Sequence, residues 1–250
     1  MDVTEITIKT ALVRSRIPGV DFVINPYLGC AHGCRYCYAA FMGKYARHHP
    51  GATWGSYVEV KVNLVAVLEA ELRRRRKPGT ALLASVCDAY QPVEARYRLT
   101  RGCLELLREH GWGVEILTKS PLVTRDLDLL LSFESATVGF SITTDDETVR
   151  RILEPQAPPI ARRLDALREL HQAGISTWAF LGPLLPLDPE RLHELVNSYV
   201  GRVLIDALNY RRMVSQLYHR HGWDYELTDD YARETTRTLK RLFGAKAAAV

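Results

Sequence analysis

Three cysteines within eight residues, in Cys30-Ala-His-Gly-Cys34-Arg-Tyr-Cys37, constrain this chain more than any other stretch. A C-x₃-C-x₂-C run with an internal glycine folds as a tight loop around one ion or cluster. Three sulfurs fall one short of the four ligands that close a structural zinc site. They suit three irons of a [4Fe–4S] cluster, which leaves the fourth iron for a ligand that is not protein. The alternative is a zinc ion completed by His32 or a distant residue, but no second C-x-x-C knuckle accompanies the first.

The remaining cysteines, Cys87 and Cys103, do not complete a disulfide framework, and a thiolate-held cluster needs a reducing compartment. The expected location is therefore cytoplasmic. No apolar run approaches the roughly 20 residues that span a bilayer, and the acidic start Met1-Asp2-Val3-Thr4-Glu5 does not read as a signal peptide. With 250 residues, 47% of them hydrophobic, the chain suits one α/β barrel or two small domains. Its net charge of +4 allows a polyanionic partner without requiring one.

Six apolar runs starting at Phe22, Ala81, Val114, Ala136, Ser176 and Arg202 alternate with helical patterns, which predicts an α/β fold with a parallel sheet. Two further strands are expected, over Glu5–Thr10 and Tyr57–Val62. Helices are expected from Cys37 to Tyr45, after Asn63 as N-cap, from Leu99 and from Leu122 to Leu131. Another is expected from a Thr144-to-Glu147 capping box, and one carries Leu164, Leu167 and Leu170. Asp188-Pro189 and Thr228 mark two more helix starts. Cys103 falls on an apolar helical stripe and reads as core. His48 and His49, beside Pro-Gly, read as solvated. Arg73 to Lys77 read as helix-end cations in water. The Ala-rich end, 245–250, is expected to fray.

Working residues of a parallel barrel stand at the C-terminal ends of its strands. Those ends carry the cysteine loop, Cys87-Asp88-Ala89-Tyr90-Gln91-Pro92, Thr118-Lys119-Ser120, Ser141-Ile142-Thr143, Gly182-Pro183 and Asn209-Tyr210. Polar groups thus collect on one rim wherever an apolar strand stops.

The cysteine spacing, with an aromatic before the third Cys, resembles the signature of the radical S-adenosylmethionine (SAM) superfamily. The string from Asn25 to Ala39 is similar to its spore-photoproduct-lyase-like branch. That resemblance implies a partial (β/α)₆ TIM-like barrel over about 22–210 and a C-terminal helical extension over about 211–243, in one domain of residues 1–250. It implies a [4Fe–4S] cluster on Cys30, Cys34 and Cys37, and SAM reductively cleaved to a 5′-deoxyadenosyl radical that abstracts hydrogen. By the same resemblance Lys119 and Ser141 hold SAM and Tyr36 and Tyr38 lie along it, while Asp88 is the candidate for a polar contact at that rim. Asp88 stands in the Cys87-Asp88-Ala89 segment, where most of the superfamily has Gly-Gly-Glu. Ser85 occupies the position of the lyase's hydrogen-donating cysteine, which leaves Cys87 as the candidate donor. Lys61 and Glu154 lie in segments that look like family segments near the site.

A reductase or a flavodoxin- or ferredoxin-type protein is the expected electron donor. Nucleic acid is the substrate class that the branch implies, although the lyase's lesion-gripping segment has no counterpart here. A peptide, tRNA or small-molecule substrate is the alternative, and a non-catalytic metal-binding or redox-sensing module is the alternative of another class. Oligomeric state is not legible in the residues.

Overall fold

The alternating apolar runs become a mostly parallel sheet in the computed structural model, which describes residues 1–249. Its strands in chain order are β1 (Asp2–Ile6), β2 (Val13–Arg14), β3 (Phe22–Ile24), β4 (Tyr27–Leu28), β5 (Tyr57–Lys61), β6 (Thr80–Leu83), β7 (Gly113–Thr118), β8 (Ala136–Ser141), β9 (Ser176–Leu181), β10 (Arg202–Ile205) and β11 (Ala247–Ala249). Strands β3, β6, β7, β8, β9 and β10 pair in that order, all parallel, and begin within one residue of the expected positions. Strand β2 adds antiparallel at one edge and β11 parallel at the other, so the sheet stays open rather than closing into a full barrel. A smaller sheet, ordered β1-β5-β4, braces the segment that carries the cysteines.

Strand alternation sorts the two faces. Leu83, Ile116 and Leu181 point outward into the main core, with Leu104, Leu107, Leu167 and Leu170 of the crossover helices. Each such fully buried leucine contributes about 1.5–3 kcal/mol. Their neighbours Leu82, Leu117 and Phe180 face the other way and line the central cavity. Cys103 is fully buried in the core, as its stripe requires.

Several local expectations are corrected. The Cys37–Tyr45 segment is a 3₁₀ helix over Tyr38–Tyr45, and the Leu122–Leu131 segment splits into a 3₁₀ turn over Pro121–Asp126 and a short α-helix over Leu127–Leu130. The first strand is Asp2–Ile6 rather than Glu5–Thr10 because it pairs residue for residue with β5. Asn63 does not cap its helix; its amide instead clamps both backbone groups of Ile8. The cap after β8 is Asp146, because the Thr144 hydroxyl is committed to the Pro186 carbonyl. His49 stacks on Tyr57 and bonds Thr4 instead of standing in water. At the Ala-rich end, Ala247–Ala249 do not fray but pair with β10; Val250 lies outside the described residues. Asp188 and Thr228 cap their helices as their residue types predict. Among the described residues no helix is long and apolar enough to cross a membrane.

Candidate active site

The cysteine loop is clasped from three sides. Gly29 and Gly33 have φ of +90° and +58°, a region that costs other L residues about 1–2 kcal/mol. A Cβ on Gly55 would stand 2.6 Å from the Gly33 Cα, so only two glycines allow the loop at 51–56 to press against the thiols. Beneath the loop, the buried Gln91 amide accepts from the Ala31 N–H at 2.8 Å and donates to the Gly29 carbonyl at 3.2 Å. On the far side, the Arg35 N–H donates to the Leu153 carbonyl at 2.9 Å.

All three thiols line one cavity of about 310 Å³ with residues from the ends of the six parallel strands. A volume near 300 Å³ is the lower end of the usual range for ligand pockets. Ser85, Cys87 and Asp88 enter after β6, Lys119 after β7, Ser141 at the end of β8, Gly182 and Pro183 after β9, and Asn209 and Tyr210 after β10. Tyr36, Tyr38 and Trp54 complete the wall beside the sulfurs. The site residues expected from the sequence are thus brought together in one place.

Strand β6 stops at Leu83, and Ala84 turns the chain with φ +68°. Asn25 holds this turn, its Oδ1 accepting from the N–H groups of Ser85 and Val86. Ser85 and Cys87 are therefore loop residues, and strand alternation is not what puts both at the cavity. The Lys61 ammonium donates to the Asn25 carbonyl at 2.7 Å. Burial pushes the Cys87 thiol up to about 12, against the opposing pull of Lys61 and a backbone N–H of Tyr27. The Tyr38 hydroxyl donates to the Ser85 carbonyl.

Asp88 is a fastener between strand ends. Its carboxylate accepts from the Tyr90 N–H at 2.8 Å, the Thr118 hydroxyl at 2.6 Å and the Lys119 N–H at 2.8 Å. His32 Nδ1 lies 3.5 Å away, while its Nε2 is buried without a partner. Burial lowers the His32 pKa.

Glu154, expected from the sequence only within a segment near the site, pairs there with Arg163, which the sequence analysis did not single out. Glu154 is wholly buried and accepts from Arg163, from the Tyr36 hydroxyl and from the Thr143 hydroxyl, the last at 2.8 Å. Lys119 Nζ stands 3.7 Å from the same carboxylate and 6.0 Å from the centre of the Tyr36 ring. Arg163, also wholly buried, spends its other donors on the carbonyls of Pro158 at 2.9 Å and Ser141 at 3.1 Å. Desolvation would raise the Glu154 carboxyl, but Arg163, Lys119 and the hydrogen bonds outweigh it and hold the group at about 2. Desolvation pulls Lys119 down, yet Glu154 and Cys34 leave it raised, so it stays a cation. A signal for Arg163 existed. It falls on the apolar stripe of Ile160, Leu164 and Leu167, where a charge demands a buried partner.

The donor set fits an iron–sulfur cluster. Burial pushes the Cys34 thiol up to about 12 and raises Cys30 and Cys37, so only a strong cation facing them would keep them as thiolates. Among the described residues no group of three or more His, Cys, Asp or Glu is arranged to hold a single metal ion. Trp54, a donor only, has its indole N–H buried without an oxygen acceptor.

Comparison with known proteins follows the same lines. The fold matches spore photoproduct lyase carrying AdoMet and dinucleoside spore photoproduct, with a TM-score of 0.68 at 18% identity over 99% of this chain and 81% of that one. It also matches SuiB of Streptococcus suis bound to S-adenosylmethionine, with a TM-score of 0.55 at 14% identity over 91% and 49% of the two chains. In sequence, an uncharacterized protein of Methanocaldococcus jannaschii is 32% identical over 96% of this chain and 94% of its own length. A radical SAM Nα-GlyT isomerase of Pseudomonas phage M6 is 25% identical over 65% of this chain and 33% of its own. The model of the radical SAM superfamily covers residues 24–199, from the end of β3 to just before β10. With its three thiols on one loop at the mouth of an open parallel barrel, the chain belongs to the radical SAM superfamily, whose enzymes use a [4Fe–4S] cluster and SAM.

Proposed function

We propose that this enzyme binds its cluster on Cys30, Cys34 and Cys37 and cleaves SAM reductively to abstract hydrogen from a nucleotide-bearing substrate. The observation that carries the reading is the convergence of three thiols, Lys119 and Ser141 on one cavity. When bound, the reduced cluster and SAM supply a one-electron cleavage whose adenosyl fragment removes a hydrogen atom. A reductase or a flavodoxin- or ferredoxin-type protein delivers that electron. The residues bind, orient and enclose. Lys119, kept cationic by Glu154, would hold the SAM carboxylate, and Ser141 would add a hydroxyl. Tyr36 presents a ring pinned by its hydroxyl, and Tyr38 flanks the cavity mouth. Asp88 fixes the strand end that carries Lys119. The dinucleoside held on this fold in spore photoproduct lyase supports a substrate that bears nucleotides.

Anaerobic reconstitution followed by dithionite and SAM tests the reading. It expects 5′-deoxyadenosine from the wild type and none from the triple Cys→Ala chain; equal background from both would overturn it. Lys119→Met removes one charge-assisted contact, worth about 1.5–3 kcal/mol. Its apparent Kd for SAM, measured by isothermal titration, is therefore expected to rise roughly ten- to a hundredfold while iron content stays unchanged.

Cys87 is the candidate hydrogen donor. Its raised pKa keeps the S–H bond intact at neutral pH. That bond breaks as a new C–H bond forms on the substrate radical, leaving the unpaired electron on sulfur. Cys87→Ala is expected to retain 5′-deoxyadenosine formation and to lose the reduced product, both read by chromatography.

A further inference from the structure

We infer that the cavity mouth is a docking ridge for single-stranded nucleic acid, built on the rings of Phe41 and Tyr45 and on Lys44. This rests on the SAM-cleaving reading above and adds how the substrate strand is held outside the cavity.

Two independent observations carry it. The first is apolar exposure. Of the twelve large hydrophobic side chains exposed among the described residues, six are Ile17, Tyr38, Phe41, Tyr45, Tyr210 and Met213. Ile17, Tyr38 and Tyr210 line the cavity itself, and Met213 follows Tyr210 along the adjoining groove. In a 3₁₀ helix, residues three apart eclipse one another. Tyr38, Phe41 and Lys44 therefore form a row. The Tyr38 and Phe41 rings are 6.5 Å apart, and Lys44 Nζ lies 5.6 Å from the centre of Phe41 and 4.9 Å from that of Tyr45.

The second is charge. The three segments that send residues into the cavity wall, 7–20, 22–58 and 207–223, hold nine Lys and Arg and no Asp or Glu, although Arg14 lies on Phe22 at the far end of the sheet. With a formal net charge of +4 for the whole chain, the remainder is net acidic. Asp206 lines the cavity, and Arg211 is neutralised by Asp229. Arg16, Lys44, Arg47 and Arg212 have no carboxylate within 4 Å among the described residues.

Rings interleaved with unpaired cations suit a chain of stacked bases and phosphates. A folded acidic protein would answer the charge but brings no bases to the rings, whereas a single strand supplies both phosphates and bases. The ridge is sequence-tolerant by construction, since every base has a face to stack.

Fluorescence anisotropy with the anaerobically reconstituted full chain tests this, using a labelled single-stranded DNA of about 12 nucleotides. Binding is expected to weaken with salt at a slope of about −3 if four cations meet phosphates. Phe41→Ala with Tyr45→Ala is expected to weaken it roughly tenfold or more. Lys44→Glu with Arg47→Glu should flatten the slope by about 1.4. Both pairs should leave substrate-free 5′-deoxyadenosine formation and thermal midpoint unchanged. Equal binding by wild type and the ring variants, or equal competition by heparin, which has no bases, would overturn the ridge. An acidic electron-carrier protein that binds the ridge while the oligonucleotide does not would also overturn it. Loss of SAM cleavage in the wild type with oligonucleotide binding intact would sink the enzymatic reading and leave the ridge standing.

Discussion

Replacing Cys30, Cys34 and Cys37 together with Ala is expected to reduce bound iron from about four atoms per chain to near none. 5′-Deoxyadenosine formation should fall by at least about a thousandfold, more than 4 kcal/mol in the barrier. On the proposed ligation the effect is large because each sulfur would be one of three protein ligands to the cluster. His32 stands in the same loop with Nδ1 toward Asp88, and one imidazole cannot replace three sulfurs. Iron analysis and chromatography read both halves of the result. The fold should survive, because the small sheet, the Gln91 amide and the paired glycines hold the loop independently of the sulfurs.

The second large effect lies at Glu154. Glu154→Gln keeps the volume but leaves Arg163 as a wholly buried cation without its carboxylate, a loss of about 3–5 kcal/mol. For a chain of this size the thermal midpoint should drop by about 10 °C. Exchanging both partners for apolar residues, Glu154→Leu with Arg163→Met, should recover most of that stability. It should not recover SAM binding, because Lys119 and Tyr36 would still lack the carboxylate that places them. A stability loss without any change in SAM affinity would make Glu154 a fold residue only. The pH dependence has a definite sign. The carboxyl is held at about 2 in the fold against an ordinary value of 4.5. Its contribution, about 3 kcal/mol, is thus complete above pH 4.5 and is lost as the pH falls toward 2. Denaturant titrations of the metal-free chain should show this acid loss, and Glu154→Gln should lack it.

What the residues made legible follows from the range of the interactions involved. Strand starts at Phe22, Ala136, Ser176 and Arg202 agree with the fold because an apolar run between turn residues is a local signal. The rim agrees too, since a parallel sheet sends every strand end to one side. Cap choices failed where a side chain had a distant partner. Asn63 was claimed by Ile8 and Thr144 by Pro186, each across tens of residues. Glu154 was legible only as part of a segment near the site, and only the fold brings Arg163, Tyr36 and Thr143 around it. Gln91 was visible only as one polar residue in a loop, and its clamp on the cysteine segment depends on β3 and β6 lying side by side. The open mouth was the least legible feature. Its last acid-free segment, 207–223, stands more than a hundred residues from the first two in the chain and reaches them at the cavity.

Electron paramagnetic resonance of the anaerobically reconstituted, dithionite-reduced chain, recorded before and after SAM is added, reaches the centre of this account. On the proposed ligation, three thiolates would leave one iron without a protein ligand, so the spectrum of a [4Fe–4S] cluster should change when SAM occupies it. A cluster whose spectrum ignores SAM, or a chain that holds zinc in place of iron, would contradict it.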